Sequence, residues 1–135
     1  MKKMFLAVTI VFCALTTHAQ LSSITSKAKS VAEATGFNVG SLTQGIMAKL
    51  VPSLNLTKAQ TPEVTDAVSS YLTGKEKILS LMKTDKTAYS EKQSSLFSKL
   101  KSKLAGILLQ NQMNKFLGLK PATNSASNIL SQLFF

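Results

Sequence analysis

Hydrophobic positions recur along this chain with helical spacing, and nowhere with sustained strand alternation. The longest periodic stretch runs from Tyr89 to Leu119. Placed at 100° per residue, Tyr89, Leu96, Phe97, Leu100, Leu104, Ile107 and Leu108 fall within an arc roughly a third of the circumference wide, which predicts an amphipathic helix. Lys92, Lys99 and Lys103 line one edge of that arc and Lys101 lies near the other. Glu91, Ser95, Ser98 and Ser102 form the far side. After Leu108 the phase changes, and Leu109, Met113, Phe116 and Leu117 point to the opposite face. A bend, or a new helix, is therefore expected at Leu109–Gln112. Gly118 is expected to take a left-handed C′ position, and Pro121 to prevent continuation.

Shorter periodic segments precede this stretch. Leu21 to Thr35 is weakly amphipathic and Ser- and Ala-rich, ending at Gly36. Asn38 or Ser41 then caps a helix with Leu42, Ile46, Met47, Leu50 and Val51 on one side, and Pro52 is expected to close it. In Leu56-Thr57-Lys58-Ala59-Gln60, Thr57 can accept a bond from the first turn while Gln60 reaches back to the cap, a capping box with Leu56 at the staple position. Thr61-Pro62-Glu63 is a second start signal, with proline and an acid suited to a first turn. The two together predict a short turn and then a main helix from about Pro62. Val64, Ala67, Val68, Tyr71 and Leu72 make its apolar face and Gly74 its stop. Lys75 to Met82 reads as a further short helix with Ile78, Leu79 and Met82, and Thr84-Asp85 as a break or cap before the long stretch. Ala122-Thr123-Asn124-Ser125 is turn-like. Asn128 to Phe135 reads as a short helix docking on the core rather than a barrel strand, since Ser131 breaks the alternation.

The N-terminus changes the chemistry available. Lys2 and Lys3 precede Met4 to Leu15, an apolar run of 12 residues. That is short for a bilayer span, which needs ~20. Thr17 and Ala19 then place small residues before Gln20. Residues 1–19 therefore read as a secretory signal peptide cleaved near Ala19-Gln20, with the product periplasmic or secreted. Cys13 lies inside the apolar run behind Phe12, unlike a lipobox. With cleavage, the only Cys and the only His leave the chain, and 135 − 19 = 116 residues remain, carrying 14 Lys against 6 acids, a net +8. Disulfides, thiolate or imidazole catalysis and His or Cys metal sites are thereby excluded. The six acids show no catalytic arrangement; Glu63 and Asp66 share a helix face but suit a helix N-terminus. No enzyme activity and no cofactor are expected.

The fold class expected is all-α, a small helical bundle or curved helical hairpin of about four to six helices with a bend near Leu109. The organisation expected is a leader at 1–19, a weakly helical segment at 20–55, a core helical region at 56–121 and a C-terminal short helix at 122–135.

Leu56, Thr57 and Gln60 match the LTxxQ pentapeptide, and Leu108 and Gln112 match its ends a second time, with Leu109 standing in place of Thr. In this the chain resembles the Spy/CpxP-like periplasmic proteins, small exported helical proteins with two such motifs. The resemblance covers roughly residues 56–117. It implies a curved helical homodimer whose basic and apolar concave face binds partly unfolded proteins without ATP. The absence of Arg departs from that family.

Two binding readings follow. In the first, Lys92, Lys99, Lys101 and Lys103 attract partly unfolded or acidic proteins, and Leu96, Leu100 and Leu104 contact their apolar patches. Lysine is a flexible point charge suited to unspecific attraction, and Met82 and Met113 add adaptable contacts. The alternative is a peripheral binder of anionic membrane or cell-envelope surfaces, its lysine stems snorkelling from a helix lying in the interface. The bland alternative for the stripe itself is a bundle core with a solvated lysine rim. Nucleic acid is disfavoured by the exported location and the lack of Arg and Trp.

Overall fold

The computed structural model describes residues 36–135, so the expected leader, its expected cleavage site and the segment up to Thr35 lie outside the described residues. Among the described residues there are six helices and no strand, as the periodicity implies. They are α1 (Val39–Leu54), α2 (Gln60–Ile78), α3 (Leu81–Thr84), α4 (Lys86–Ile107), α5 (Gln110–Gly118) and α6 (Ser131–Phe134). The α2 helix is the centre: it packs along α4 on one side and against α1 on the other. The α1 helix also meets α5, which closes the end of the bundle.

Local chemistry sets most of the helix ends. Asn38 is extended, and its side chain accepts from Ser41 N at 2.9 Å, which starts α1. Pro52 does not close α1. The helix runs on to Leu54, which is buried, while the proline ring is exposed. Asn55 then takes the left-handed conformation (φ 50°, ψ 52°). Its N–H bonds Pro52 O and the Leu56 N–H bonds Val51 O at 3.1 Å, a Schellman termination. Burial of Leu54 outweighs the single donor lost at Pro52.

Both start signals of α2 merge into one helix. Thr57 O accepts from Thr61 N at 3.0 Å, so the turn at Thr57 leads directly into the helix from Gln60. Gly74 does not stop α2, which continues to Ile78. The segment from Lys75 to Ile78 thus belongs to α2, and the separate turn α3 begins only at Leu81. Gly74 serves close approach instead. A Cβ there would lie 2.6 Å from Leu96 Cδ2 of α4, so its lack of side chain seats that leucine.

Asp85 caps α4, its carboxylate accepting from Ala88 N at 2.9 Å. The break near Leu109 is present. Leu108 (ψ 146°) and Leu109 (ψ 158°) are extended, and α5 starts afresh at Gln110. Gly118 ends α5 without a left-handed turn; Leu119 follows at φ −78°, and Gly36 is the glycine with positive φ.

The core is a single cluster. Ile46, Leu50 and Leu54 come from α1, Val64, Val68 and Leu72 from α2, Leu100 and Leu104 from α4, with Phe116 from α5 and Leu133 from α6. Each such side chain contributes about 1.5–3 kcal/mol on full burial. The stripe of α4 therefore faces inward. The expected face of α5 is corrected: Phe116 is buried and Met113 half-buried, but Leu109 and Leu117 are 64% and 42% exposed. Gln112 takes the inward place, for reasons that lie in its hydrogen bonds. No helix among the described residues is long and apolar enough to cross a membrane.

Candidate functional site

The two LTxxQ-like segments meet in space through their glutamines. Gln60 Nε2 donates to Gln112 Oε1 at 2.9 Å, and Gln112 Nε2 donates back to Gln60 Oε1 at 3.1 Å. Each glutamine also caps its own helix: Gln60 Oε1 accepts from Thr57 N at 3.1 Å, and Gln112 Oε1 accepts from Leu109 N at 2.9 Å. Each then donates to the chain just before the other motif. Gln60 Nε2 reaches Ile107 O at 3.0 Å, and Gln112 Nε2 reaches Leu54 O at 3.2 Å and Asn55 O at 3.4 Å. The arrangement is close to two-fold. It ties the end of α1, the start of α2, the end of α4 and the start of α5 at one point.

The caps themselves differ. Thr57 Oγ1 accepts from Gln60 N at 3.1 Å, completing the capping box predicted there. Leu109 has no acceptor, so the second box is half a box, and Gln112 N instead donates to Asn111 Oδ1 at 2.8 Å. Leu108 is buried and Leu56 half-buried beside the hub. These five residues build the fold; the hydrogen-bonding positions of both glutamines are occupied by the protein itself.

The lysine-rimmed face is a second arrangement. Leu96, Lys99, Leu100 and Lys103 of α4 line a cleft of about 110 Å³ against Ala67, Ser70 and Tyr71 of α2. Lys99 and Lys103 are exposed at its edge. Leu100 is 2% exposed and Leu104 fully buried, so these two belong to the core and not to an open surface. Lys92 and Lys101 are exposed on α4 but do not line this cleft. Only part of the expected surface is thus brought together. Among the described residues no three His, Cys, Asp or Glu side chains gather as a metal site.

A third polar arrangement escaped sequence reading. Lys75 is 3% exposed, and its Nζ donates to Gln132 O and Phe135 O, both at 2.8 Å. Tyr71 OH donates to Leu133 O at 2.8 Å, and Gln93 Nε2 donates to Tyr71 OH and to Phe135 O. Burial pulls the Lys75 amine down to about 8. Burial also pushes the Tyr71 phenol up, only partly offset by the bond from Gln93, and pushes Tyr89 up. The signal was present in the sequence: Lys75 lies three and four residues after Leu72 and Tyr71, on the apolar face of α2.

Comparison with family models, with curated proteins and with solved structures returned no match. The geometry alone therefore bears on function.

Proposed function

We propose that this chain is an exported, noncatalytic helical protein that binds partly unfolded proteins without ATP, in the manner of the Spy-like proteins it resembles. The observation that carries this reading is the cleft between α2 and α4. Its floor is Ala67, Leu96 and Leu100, and exposed Lys99 and Lys103 stand at its rim. An acidic client is drawn over distance by the lysines and held at short range by an apolar side chain entering the cleft. The meeting of both LTxxQ-like segments in one hub supports treating them as a pair. A homodimer and a periplasmic or secreted location, with cleavage near Ala19-Gln20, belong to the same proposal.

Light scattering from a denatured acidic client tests it. The protein suppresses aggregation at low salt, less at high salt, and several-fold less with Lys99→Glu and Lys103→Glu combined. No suppression at low salt ends the reading. Burial of Leu100 and Leu104 weighs against α4 lying in a lipid interface, since its apolar face is engaged inside the bundle. Co-sedimentation with anionic vesicles that persisted at high salt would favour the membrane reading instead.

A further inference from the structure

The chain after Pro121 forms a strap across the bundle. Among the described residues, its backbone bonds only within itself and to three side chains of the body, Lys75, Tyr71 and Gln93. No helix ladder is interrupted if it leaves. Its own shape is set locally, by Ser131 Oγ accepting from Ser125 N at 3.1 Å and by Asn128 Oδ1 accepting from Leu130 N at 3.0 Å.

What lies beneath the strap has the features of a recognition groove. Ile129 enters a notch at Gly45, where a Cβ would come 2.2 Å from its Cδ1. Phe134 packs between Phe97 and Phe116, with ring centroids 5.5 and 5.4 Å away. The three body side chains bond main-chain oxygens of Gln132, Leu133 and Phe135, the kind of oxygen that every helix end leaves without an internal partner. They read no side chain of the strap. Gln93 Oε1 is buried and finds no hydrogen-bond partner in the protein, so the strap leaves one acceptor of the groove unmatched.

We infer that the strap is an internal occupant of a binding groove, and that an apolar, aromatic helix end of a partly unfolded protein displaces it. The notch at Gly45 selects a branched aliphatic residue, and the space between Phe97 and Phe116 selects an aromatic one five positions later. The three donors accept any sequence between, because they bond the main chain. The inference deepens the client-binding reading and rests on it for the identity of the occupant. It places the groove under the strap as a second contact region, closed in the resting chain. A ligand that also offers a donor to Gln93 Oε1 has an advantage over the strap.

The test uses the full chain and a labelled, amidated peptide of sequence Asn128–Phe135, read by fluorescence anisotropy. Phe134→Ala weakens the strap and leaves the groove intact. It raises the fraction of open chains, so it binds the peptide on the order of tenfold tighter than the unaltered chain does. Adding Gly45→Val fills the notch and abolishes that gain. Circular dichroism checks that the helices persist, and Ile129→Ala replaces Phe134→Ala if they do not. Peptide binding that is absent, or no tighter in the strap variants than in the unaltered chain, overturns the inference. So does a concentration-dependent association that the strap variants show and the unaltered chain does not, without peptide binding, which would make a second copy the occupant. The peptide result is independent of the aggregation assay: failure there removes the client reading, and failure here removes the groove.

Discussion

At the scale of single residues, the glutamine pair is the most consequential feature. Gln60 and Gln112 are 52 residues apart in sequence, yet each completes the other. Removing one takes the reciprocal pair of bonds from the partner amide and the side-chain donor from one or more backbone carbonyls. Gln112→Ala is expected to cost about 2–3 kcal/mol, because Gln112 is buried and also caps Leu109. Gln60→Ala is expected to cost less, since Gln60 is half-exposed. Urea denaturation of both single variants and the double variant should give a coupling of about 1 kcal/mol or more. Additive losses would show that the pair contributes no more than its parts. Leu109 offers the opposite change. It is 64% exposed and occupies an N-cap position that a hydroxyl residue fills better. Leu109→Thr is expected to stabilise by about 0.5–1 kcal/mol in thermal unfolding; no gain would show that Asn111 Oδ1, which accepts from Gln112 N, already does the work of the cap.

At the scale of elements, α2 is where polar groups are buried for a purpose other than its own helix. Lys75 and Tyr71 face the strap, and their protonation couples the strap to pH. The Lys75 amine is at about 8 in the folded chain against its ordinary 10.5. Between those values the unfolded chain holds more protons, so stability rises with pH there. The Tyr71 and Tyr89 phenols are raised above their ordinary 10.0. Above that value the folded chain holds more protons, and stability falls as pH rises further. Denaturation midpoints should therefore increase from about pH 7.5 to about pH 10 and decline beyond. Lys75→Met should flatten the rising limb and keep the decline. A midpoint that is flat from pH 8 to pH 10 in the unaltered chain would contradict the burial of the amine. The α4–α5 junction shows a second element-scale effect. The chain stays extended for only Leu108 and Leu109, and the glutamine hub bonds the junction on both sides, at Ile107 O and Leu109 N.

At the scale of the molecule, one core unites four of the six helices and the strap, and the apolar stripe of α4 is consumed in making it. Leu104→Ala is expected to lower stability by about 3 kcal/mol by leaving a cavity at the meeting of α2 and α4. Were that stripe the client surface, the same change would reduce aggregation suppression with stability unaltered. Measuring both in one variant separates the two roles. Lys92, Lys99, Lys101 and Lys103 of α4 are left exposed with their charges in water, so these charges act over distance rather than within the fold, whereas Lys75 is buried.

The all-α class, the cap at Thr57 and the break near Leu109 were legible in the sequence, and the caps at Asn38 and Asp85 were legible as one of two residues each. Each rests on interactions within four residues, or on a period read along one segment. Two helix ends differ from their local signals for one cause. Pro52, Gly74 and Gly118 carry local stop signals, but two of them were overridden by distant partners: Leu54 needs the core, and Gly74 makes room for Leu96. Gly118 ended its helix as expected, but without the left-handed turn. The candidate site was legible by half. Leu96, Lys99, Leu100 and Lys103 do share a cleft, but its other wall, Ala67, Ser70 and Tyr71, comes from α2. The joining of the two glutamines, the burial of Lys75 and the strap over Phe97 and Phe116 were decided only by tertiary structure. A hydrogen bond between residues far apart leaves no periodic trace along the chain, and a lysine on an apolar face is explained only once the carbonyls it meets are in place.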